Sequence, residues 1–157
     1  MFFDFDSVEY YSLKKSKEDE VNENNRKGIK DSILNNILYS EFPDKINNTV
    51  FYKTINFGGF SKFELSQKDV EYLKNDVFAE KFSLKMFGTV KACAPEYRDI
   101  LIFRKKNEIS GIAKICLFCG DFYFVSSKKG INTEDFGTSE EYKLLEKIFN
   151  TYKKDKN

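Results

Sequence analysis

The residues of this sequence most suited to chemistry are its three cysteines, which lie close together in the second half of the chain as Cys93, Cys116 and Cys119. The last two form a Cys-x-x-Cys pair, a spacing at which two sulfur atoms can bind one metal ion or form a disulfide. Structural zinc normally has four ligands, and because the sequence contains no histidine, the fourth would be a carboxylate such as Asp121 or a water. Three alternatives stay open: a zinc site, a disulfide, and buried thiols that perform no chemistry.

The pattern around the cysteines favours one disulfide partner. Two β-prone runs separated by a polar turn at residues 105–108 predict a hairpin. If Asp99 lies opposite residue 113 or 114, extension of the same register brings Cys93 opposite Cys119. Opposed residues of an antiparallel pair have Cα atoms roughly 4.5 to 5.5 Å apart, which is within disulfide range.

A second cluster, Tyr97-Arg98-Asp99, follows Pro95 at the entrance to this hairpin. An arginine at this place could bind a carboxylate or a phosphate through two parallel hydrogen bonds, so the three residues are the candidate binding site. The alternative is a structural role, in which Arg98 and Asp99 orient each other or the turn and Tyr97 packs on the sheet. We favour the structural role, since ion pairs at strand ends commonly do no more than this.

The absence of histidine restricts catalysis. A cysteine hydrolase usually needs a histidine base, and a thioredoxin-like Cys-x-x-Cys should open a helix, whereas residues 115–119 belong to a strand-like run. Gly58-Gly59 lacks the spacing and the following lysine of a phosphate-binding loop. The sequence therefore predicts no catalytic residue, and an enzyme that uses carboxylates and Arg98 in a cleft is the remaining catalytic alternative.

The charge balance limits the classes of partner. The chain has 26 basic and 25 acidic side chains, a net charge of +1, which argues against a nucleic-acid binder. No apolar run is long enough for a membrane span, and the start has no signal-peptide pattern, so as written the chain is expected in the cytoplasm. An exported or periplasmic location is the alternative if Met1 follows a removed signal. No cofactor is predicted apart from the zinc alternative.

The first half of the chain predicts both strands and amphipathic helices. A short aromatic strand runs from Val8 to Leu13. The charged stretch 14–27, poor in apolar residues, is predicted as an exposed loop, with an exposed first turn of helix as the alternative. Apolar residues at helical spacing predict amphipathic helices over 27–39 and 67–76. Residues 49–57 are rich in β-branched and aromatic types and favour a strand, with a buried helix as the alternative.

The second half predicts an antiparallel meander followed by a helix. The four β-prone runs cover residues 81–93, 99–105, 108–118 and 121–127. A capping signature at 138–141 opens the final helix, and residues 153–157 are predicted as a frayed tail. Helices that flank a strand-rich middle indicate a single α+β domain over 1–157, with the antiparallel meander in its C-terminal half.

Residues 93–103, 111–119 and 132–137 together resemble a group of uncharacterised small bacterial proteins. The similarity is strong in the C-terminal part of the chain and looser at residues 5–11. The resemblance implies no established activity. Some members of the group look like exported lipoproteins, and this implies a disulfide and a location outside the cytoplasm.

These patterns together favour a binding protein. The 9 tyrosines and 17 phenylalanines are more than we expect one core to hide, and exposed aromatic side chains are typical of interfaces. We therefore predict a non-catalytic module that binds another protein, as an immunity protein or an accessory subunit does. The alternative function is a redox or regulatory role of a thiol or metal site at the three cysteines.

Overall fold

The computed structural model describes residues 1–79, 93–137 and 140–155. Within these residues, five strands form one antiparallel sheet in the order β2-β1-β3-β4-β5, with helices on both faces. The strands are β1 (Ser7–Leu13), β2 (Phe60–Glu64), β3 (Asp99–Lys105), β4 (Glu108–Cys116) and β5 (Asp121–Ser126). The helices are α1 (Lys15–Arg26), α2 (Ser32–Tyr39), α3 (Thr49–Phe57), α4 (Gln67–Tyr72), which a π-helical turn (Leu73–Val77) extends, and α5 (Glu141–Lys154). The predicted α+β class and the C-terminal meander, here β3-β4-β5, are confirmed.

The sheet lies between two hydrophobic cores, so its central strands are buried on both faces. Successive side chains of a strand point to opposite faces. In β3, Leu101 and Phe103 enter the core under α4 and α5. Ile100 and Ile102 enter the core under α1, α2 and α3. A strand that is buried in this way has a continuous apolar sequence, which is the pattern of β3.

The aromatic residues are used mainly inside these cores. Phe3, which is fully buried, stacks on Phe103 with ring centroids 4.3 Å apart. The phenylalanines that lie in solvent, within the described part of the chain, are Phe57 at 86% exposure and Phe118 at 89%. The exposed aromatic surface in the described part of the chain is therefore much smaller than the number of aromatic residues led us to expect.

The charged stretch 14–27 is mostly helical, so its prediction as a loop was wrong, although most of its residues are exposed as predicted. Ion pairs three or four positions apart join Lys15 to Asp19 (3.1 Å), Lys17 to Glu20 (2.9 Å) and Glu23 to Lys27 (2.6 Å). Each such pair adds a few tenths of a kcal/mol, roughly, to helix stability. Val21 provides the apolar contact, since it is buried in the core under α1.

Residues 49–57 form helix α3, so the predicted strand was wrong and its stated alternative, a buried helix, was right. The Asn48 side chain caps the helix by accepting a hydrogen bond from the Phe51 backbone N–H at 2.9 Å. Phe51 and Ile55, four positions apart, both enter the core. A good cap and one apolar stripe therefore outweigh the β-propensity of the individual residues.

The remaining predicted elements lie close to their expected places. Helix α2 begins at Ser32, several residues later than predicted, because Asp31 caps it through the Ile33 and Leu34 N–H groups. The capping residues 138–139 and the predicted strand over 81–93, apart from Cys93, lie outside the described residues. Each helix that the structure describes is too short or too polar to cross a membrane.

Candidate binding cleft and cysteine cluster

An open cleft of about 1090 Å³ lies at one end of the sheet, where β1 and β4 end and β3 begins. Helices α1 and α5 contribute to its walls. Arg98, Asp99, Cys116 and Phe118 are among the residues that line it. Two residues of the predicted binding cluster and one of the three cysteines therefore share one cleft.

Two carboxylates hold the Arg98 guanidinium. Its Nη1 atom lies 2.8 Å from Glu18 Oε1, and its Nη2 atom lies 3.3 Å from Glu96 Oε2. Glu18 belongs to α1, so this arginine ties the first helix to the entrance of β3. The predicted partnership of Arg98 with Asp99 is not among the contacts of the described residues. Arg98 instead orients helix α1 and its own segment.

Asp99 lies at the base of the cleft and is only 5% exposed. It accepts a hydrogen bond of 2.5 Å from the Tyr10 hydroxyl and pairs with Lys153 Nζ at 3.0 Å. Burial, with the negative charge of Asp99, raises the pKa of Tyr10 far above its ordinary value, so this hydroxyl stays a hydrogen-bond donor. Within the protein, Lys153 therefore already balances the charge of this carboxylate, and Tyr10 already donates a hydrogen bond to it.

Lys153 belongs to helix α5, which continues to Lys154, so the prediction of a frayed tail from residue 153 was wrong at its start. The ion pair with Asp99 gives the last turn of the helix a partner in the sheet. Basic residues also suit the negative end of a helix. Residues 156–157 lie outside the described part of the chain.

Tyr97, the third residue of the predicted cluster, packs away from these charges. Its backbone N–H donates to the Leu38 carbonyl at 2.8 Å, and its ring lies 4.6 Å from Lys114 Nζ. Burial raises the pKa of Tyr97 well above its ordinary value. Tyr97 therefore helps to enclose Lys114.

Lys114 is a fully buried lysine in the second half of β4 that was not predicted from the sequence. Its Nζ atom donates to the carbonyls of Ile37 and Ser40, both at 2.6 Å, and it lies 5.3 Å from the centre of the Tyr123 ring. Burial lowers the pKa of Lys114 from 10.5 to about 7, and the charge of Glu41 opposes this shift. The position of this lysine within the otherwise apolar and buried run of residues 111–116 was the signal that could have revealed it.

Cys93 and Cys119 are paired as a disulfide, with Cα atoms 6.0 Å apart. This is the pair that the predicted register brings together, although the register itself differs. Asp99 pairs with Ile115, one or two positions further along β4 than predicted, because Ser110 has no partner in the ladder and forms a bulge. The approach of the two cysteines therefore depends on the turn after β4 as well as on the hairpin.

Cys116 is a free, buried thiol beside this disulfide. Its sulfur accepts hydrogen bonds from the backbone N–H groups of Glu96 and Cys119, each at 3.4 Å. In the part of the chain that the structure describes, no three acidic, cysteine or histidine side chains converge in a way that could hold a metal ion. The structure thus brings the three cysteines to one end of the β3-β4 hairpin.

Comparison with known proteins adds nothing to this geometry. The resemblance of residues 93–103 and 111–119 to small bacterial proteins stays a prediction, and the cleft and the cysteines alone support a functional proposal. No protein-family model, curated protein or solved structure matches the chain.

Proposed function

We propose that the protein is a non-catalytic module that binds another protein at the cleft beside Arg98 and Asp99. The observation that supports this best is Phe118, which lies in the turn 117–120 at the cleft and is 89% exposed. Burial of an aromatic side chain in a partner's pocket is a common source of binding energy. An exposed phenylalanine beside a cleft is the arrangement expected of such an anchor.

The charges of the cleft support recognition more than catalysis. A general acid or base must exchange a proton with its substrate, but Asp99 already accepts from Tyr10 and pairs with Lys153. Arg98 is likewise held by Glu18 and Glu96. These pairs fix the shape of the surface and leave a polar margin around the aromatic side chain, which is the usual anatomy of an interface.

The same pairing favours a protein partner over a nucleic acid. A phosphate backbone is bound by cations that neutralise it. Here Arg98 and Lys153, two cations that line the cleft, already face carboxylates of the chain itself. A polypeptide with one apolar side chain flanked by charges of both signs suits this lining. In this role the protein would act as an immunity protein or an accessory subunit does.

A photo-crosslinking pair tests the location of the interface. Substitution of Phe118 by the photoreactive analogue p-benzoylphenylalanine should give covalent products with one partner protein in an extract of the source cells. The same analogue at Phe57, which is 86% exposed on α3, is the matched control and should give none with that partner. Mass spectrometry of the products identifies the partner.

Equal crosslinking at both positions would contradict the proposal, since it would show that any exposed ring reacts with the same neighbours. Loss of the product after addition of unlabelled protein provides the check on specificity. A product that resists this competition would also count against a specific interface at the cleft.

We propose as a second candidate a redox or regulatory role of the cysteines. The observation that favours it is the disulfide of Cys93 and Cys119 with the free thiol of Cys116 three positions from Cys119. Stable disulfides are typical of oxidising compartments, so the pair favours the exported alternative over a cytoplasmic location.

Thiol titration in denaturant tests this second role. The untreated protein should show one reactive thiol and the reduced protein three, because two of the three cysteines are paired. Colorimetric titration with a disulfide reagent gives the count, and the Cys93→Ser variant after full reduction should give two. Three reactive thiols in untreated protein, unchanged by oxidants, would overturn the role.

A further inference from the structure

The three cysteines differ in exposure in a way that suits reaction within the protein. Cys116 is only 3% exposed, so external reagents reach it poorly. Cys93 is exposed and Cys119 is half-buried, so their disulfide faces solvent. The nearest electrophilic sulfur for the Cys116 thiol therefore belongs to the chain itself.

Hydrogen bonds hold the Cys116 sulfur beside the backbone of Cys119, one of the two disulfide partners. Residues 117–120 turn the chain, so that the Cys119 backbone N–H donates to Cys116 Sγ at 3.4 Å. The Glu96 N–H donates to the same sulfur at 3.4 Å. A thiolate can accept hydrogen bonds from backbone N–H groups that point at its sulfur. The thiolate is also the form of cysteine that attacks a disulfide.

We infer that the Cys116 thiol exchanges with the Cys93–Cys119 disulfide inside the folded protein, so that the chain has two disulfide isomers. The inference rests on the second proposed role, that of the cysteines. It adds the identity of the attacking residue, Cys116, the sulfur attacked, that of Cys119, and the leaving group, Cys93.

The step is balanced without an oxidant or a reductant. Cys116 loses its proton to water, and its sulfur attacks Cys119 Sγ. The Cys116–Cys119 bond forms as the Cys93–Cys119 bond breaks, and the electron pair of the broken bond leaves on the Cys93 sulfur, which takes up a proton from water. The exposure of Cys93 favours this direction, because water solvates the leaving thiolate.

Exchange would change the cleft, because Cys116 and Phe118 both line it. In the first isomer the disulfide joins residues 26 positions apart and ties the segment before Arg98 to the turn that carries Phe118. In the second isomer the turn 117–120 is closed on itself and the segment before Arg98 is released from it. The two isomers would therefore present Phe118 and Arg98 in different relative positions.

Mapping of the one free thiol tests the inference in the full-length protein. The purified protein is incubated without added thiol at pH 6 and at pH 8.5, quenched in acid, and alkylated with N-ethylmaleimide in acidic denaturant. Chymotrypsin cleaves after Phe118, between Cys116 and Cys119, so mass spectrometry can assign both the alkylated cysteine and the linked peptides. We expect alkylation at Cys93 together with a linked Cys116–Cys119 pair, reached faster at pH 8.5 because thiol–disulfide exchange proceeds through the thiolate.

Each other outcome overturns the exchange. Alkylation confined to Cys116 at both pH values would show that no exchange occurs, and alkylation at Cys119 would show that the wrong sulfur is attacked. The count of one free thiol per chain holds in either isomer, so three free thiols would instead refute the role of the cysteines itself. The Cys116→Ser variant is the matched control and should keep the Cys93–Cys119 linkage with no alkylated cysteine.

The Cys93→Ser variant provides a second test that does not depend on whether the Cys116→Ser variant folds. In Cys93→Ser, oxidised glutathione should convert Cys116 and Cys119 into a disulfide, with two molecules of glutathione released per bond. A stable mixed disulfide with glutathione at Cys119, without closure by Cys116, would overturn the proposed geometry.

Discussion

Replacement of Lys114 by alanine should lower the free energy of unfolding by about 3 kcal/mol or more, the sum of a core cavity and two lost hydrogen bonds. The side chain is fully buried, and its Nζ atom donates to the Ile37 and Ser40 carbonyls at the end of α2. Without the lysine, both carbonyls lose its hydrogen bond, although the Ser40 carbonyl keeps the Phe42 backbone N–H as a donor at 2.9 Å. The rings of Tyr97 and Tyr123 also lose a packing partner. Urea denaturation followed by circular dichroism measures the loss.

The same lysine should make stability depend on pH. Burial lowers its pKa from 10.5 in an exposed environment to about 7, so between these values the unfolded chain binds the proton that the folded protein has released. Stability should therefore rise as pH increases from 7 toward 10.5, and this contribution should decline as pH falls from 10.5 to 7 and be absent below 7. The gain is about 2 kcal/mol between pH 7.5 and 9. A neutral amine still has two N–H groups, so it can keep both carbonyl contacts.

The Lys114→Met variant isolates this contribution because it fills a similar volume without a titratable group. The difference in unfolding free energy between the natural protein and this variant should grow in favour of the natural protein from pH 7.5 to 9. Lys143→Met, on a 76% exposed side chain of α5, is the matched control and should show no such growth. A pH-independent difference for Lys114→Met would show that the lysine stays charged over this range.

Replacement of Gly111 by alanine should lower the free energy of unfolding by about 2 kcal/mol, which is typical of an overpacked core. A Cβ atom at this position would lie 2.6 Å from Cε1 of Phe3 and closer still to Cδ1. Phe3 has no room to move, because it is fully buried and stacks on Phe103. Thermal and urea denaturation give the change.

The Phe3→Leu variant is the partner for this test. Combined with Gly111→Ala, it should cost less than the sum of the two single changes, because the smaller side chain makes room for the new methyl group. Strict additivity of the two changes would contradict the proposed contact. The side chain of the adjacent residue, Ile112, belongs to the other core and not to the one that contains Phe3.

The sequence predicted β1 and the β3-β4-β5 meander well, in β3 and β4 because the strands are buried on both faces and their apolar runs are long. It missed β2, in which only Phe60 is buried and polar residues separate the apolar ones. It failed at α1 and α3, where helix formation depends on features that apolar periodicity does not show. In α1 the stabilising contacts are ion pairs, and in α3 they are one cap at Asn48 and two apolar residues.

The candidate site was predicted in part. The grouping of the three cysteines followed from the hairpin, since a hairpin brings the residues at its open end together. The structural alternative for the Tyr97-Arg98-Asp99 cluster placed Tyr97 on the sheet, which agrees with its contact to Lys114 of β4. It did not predict that Arg98 and Asp99 have separate partners, because those partners, Glu18, Tyr10 and Lys153, are distant in sequence. Lys114 was missed because its partners are carbonyls of α2, which are distant in sequence.

The most direct test of the binding cleft is the affinity of the crosslinked partner for two variants of the protein, measured by titration calorimetry. Phe118→Ser should weaken binding about 30-fold, the effect of losing an anchor that contributes about 2 kcal/mol, while Phe57→Ser should leave the affinity unchanged. Equal affinities of the natural protein and Phe118→Ser, or an equal loss in both variants, would contradict a partner bound at the cleft.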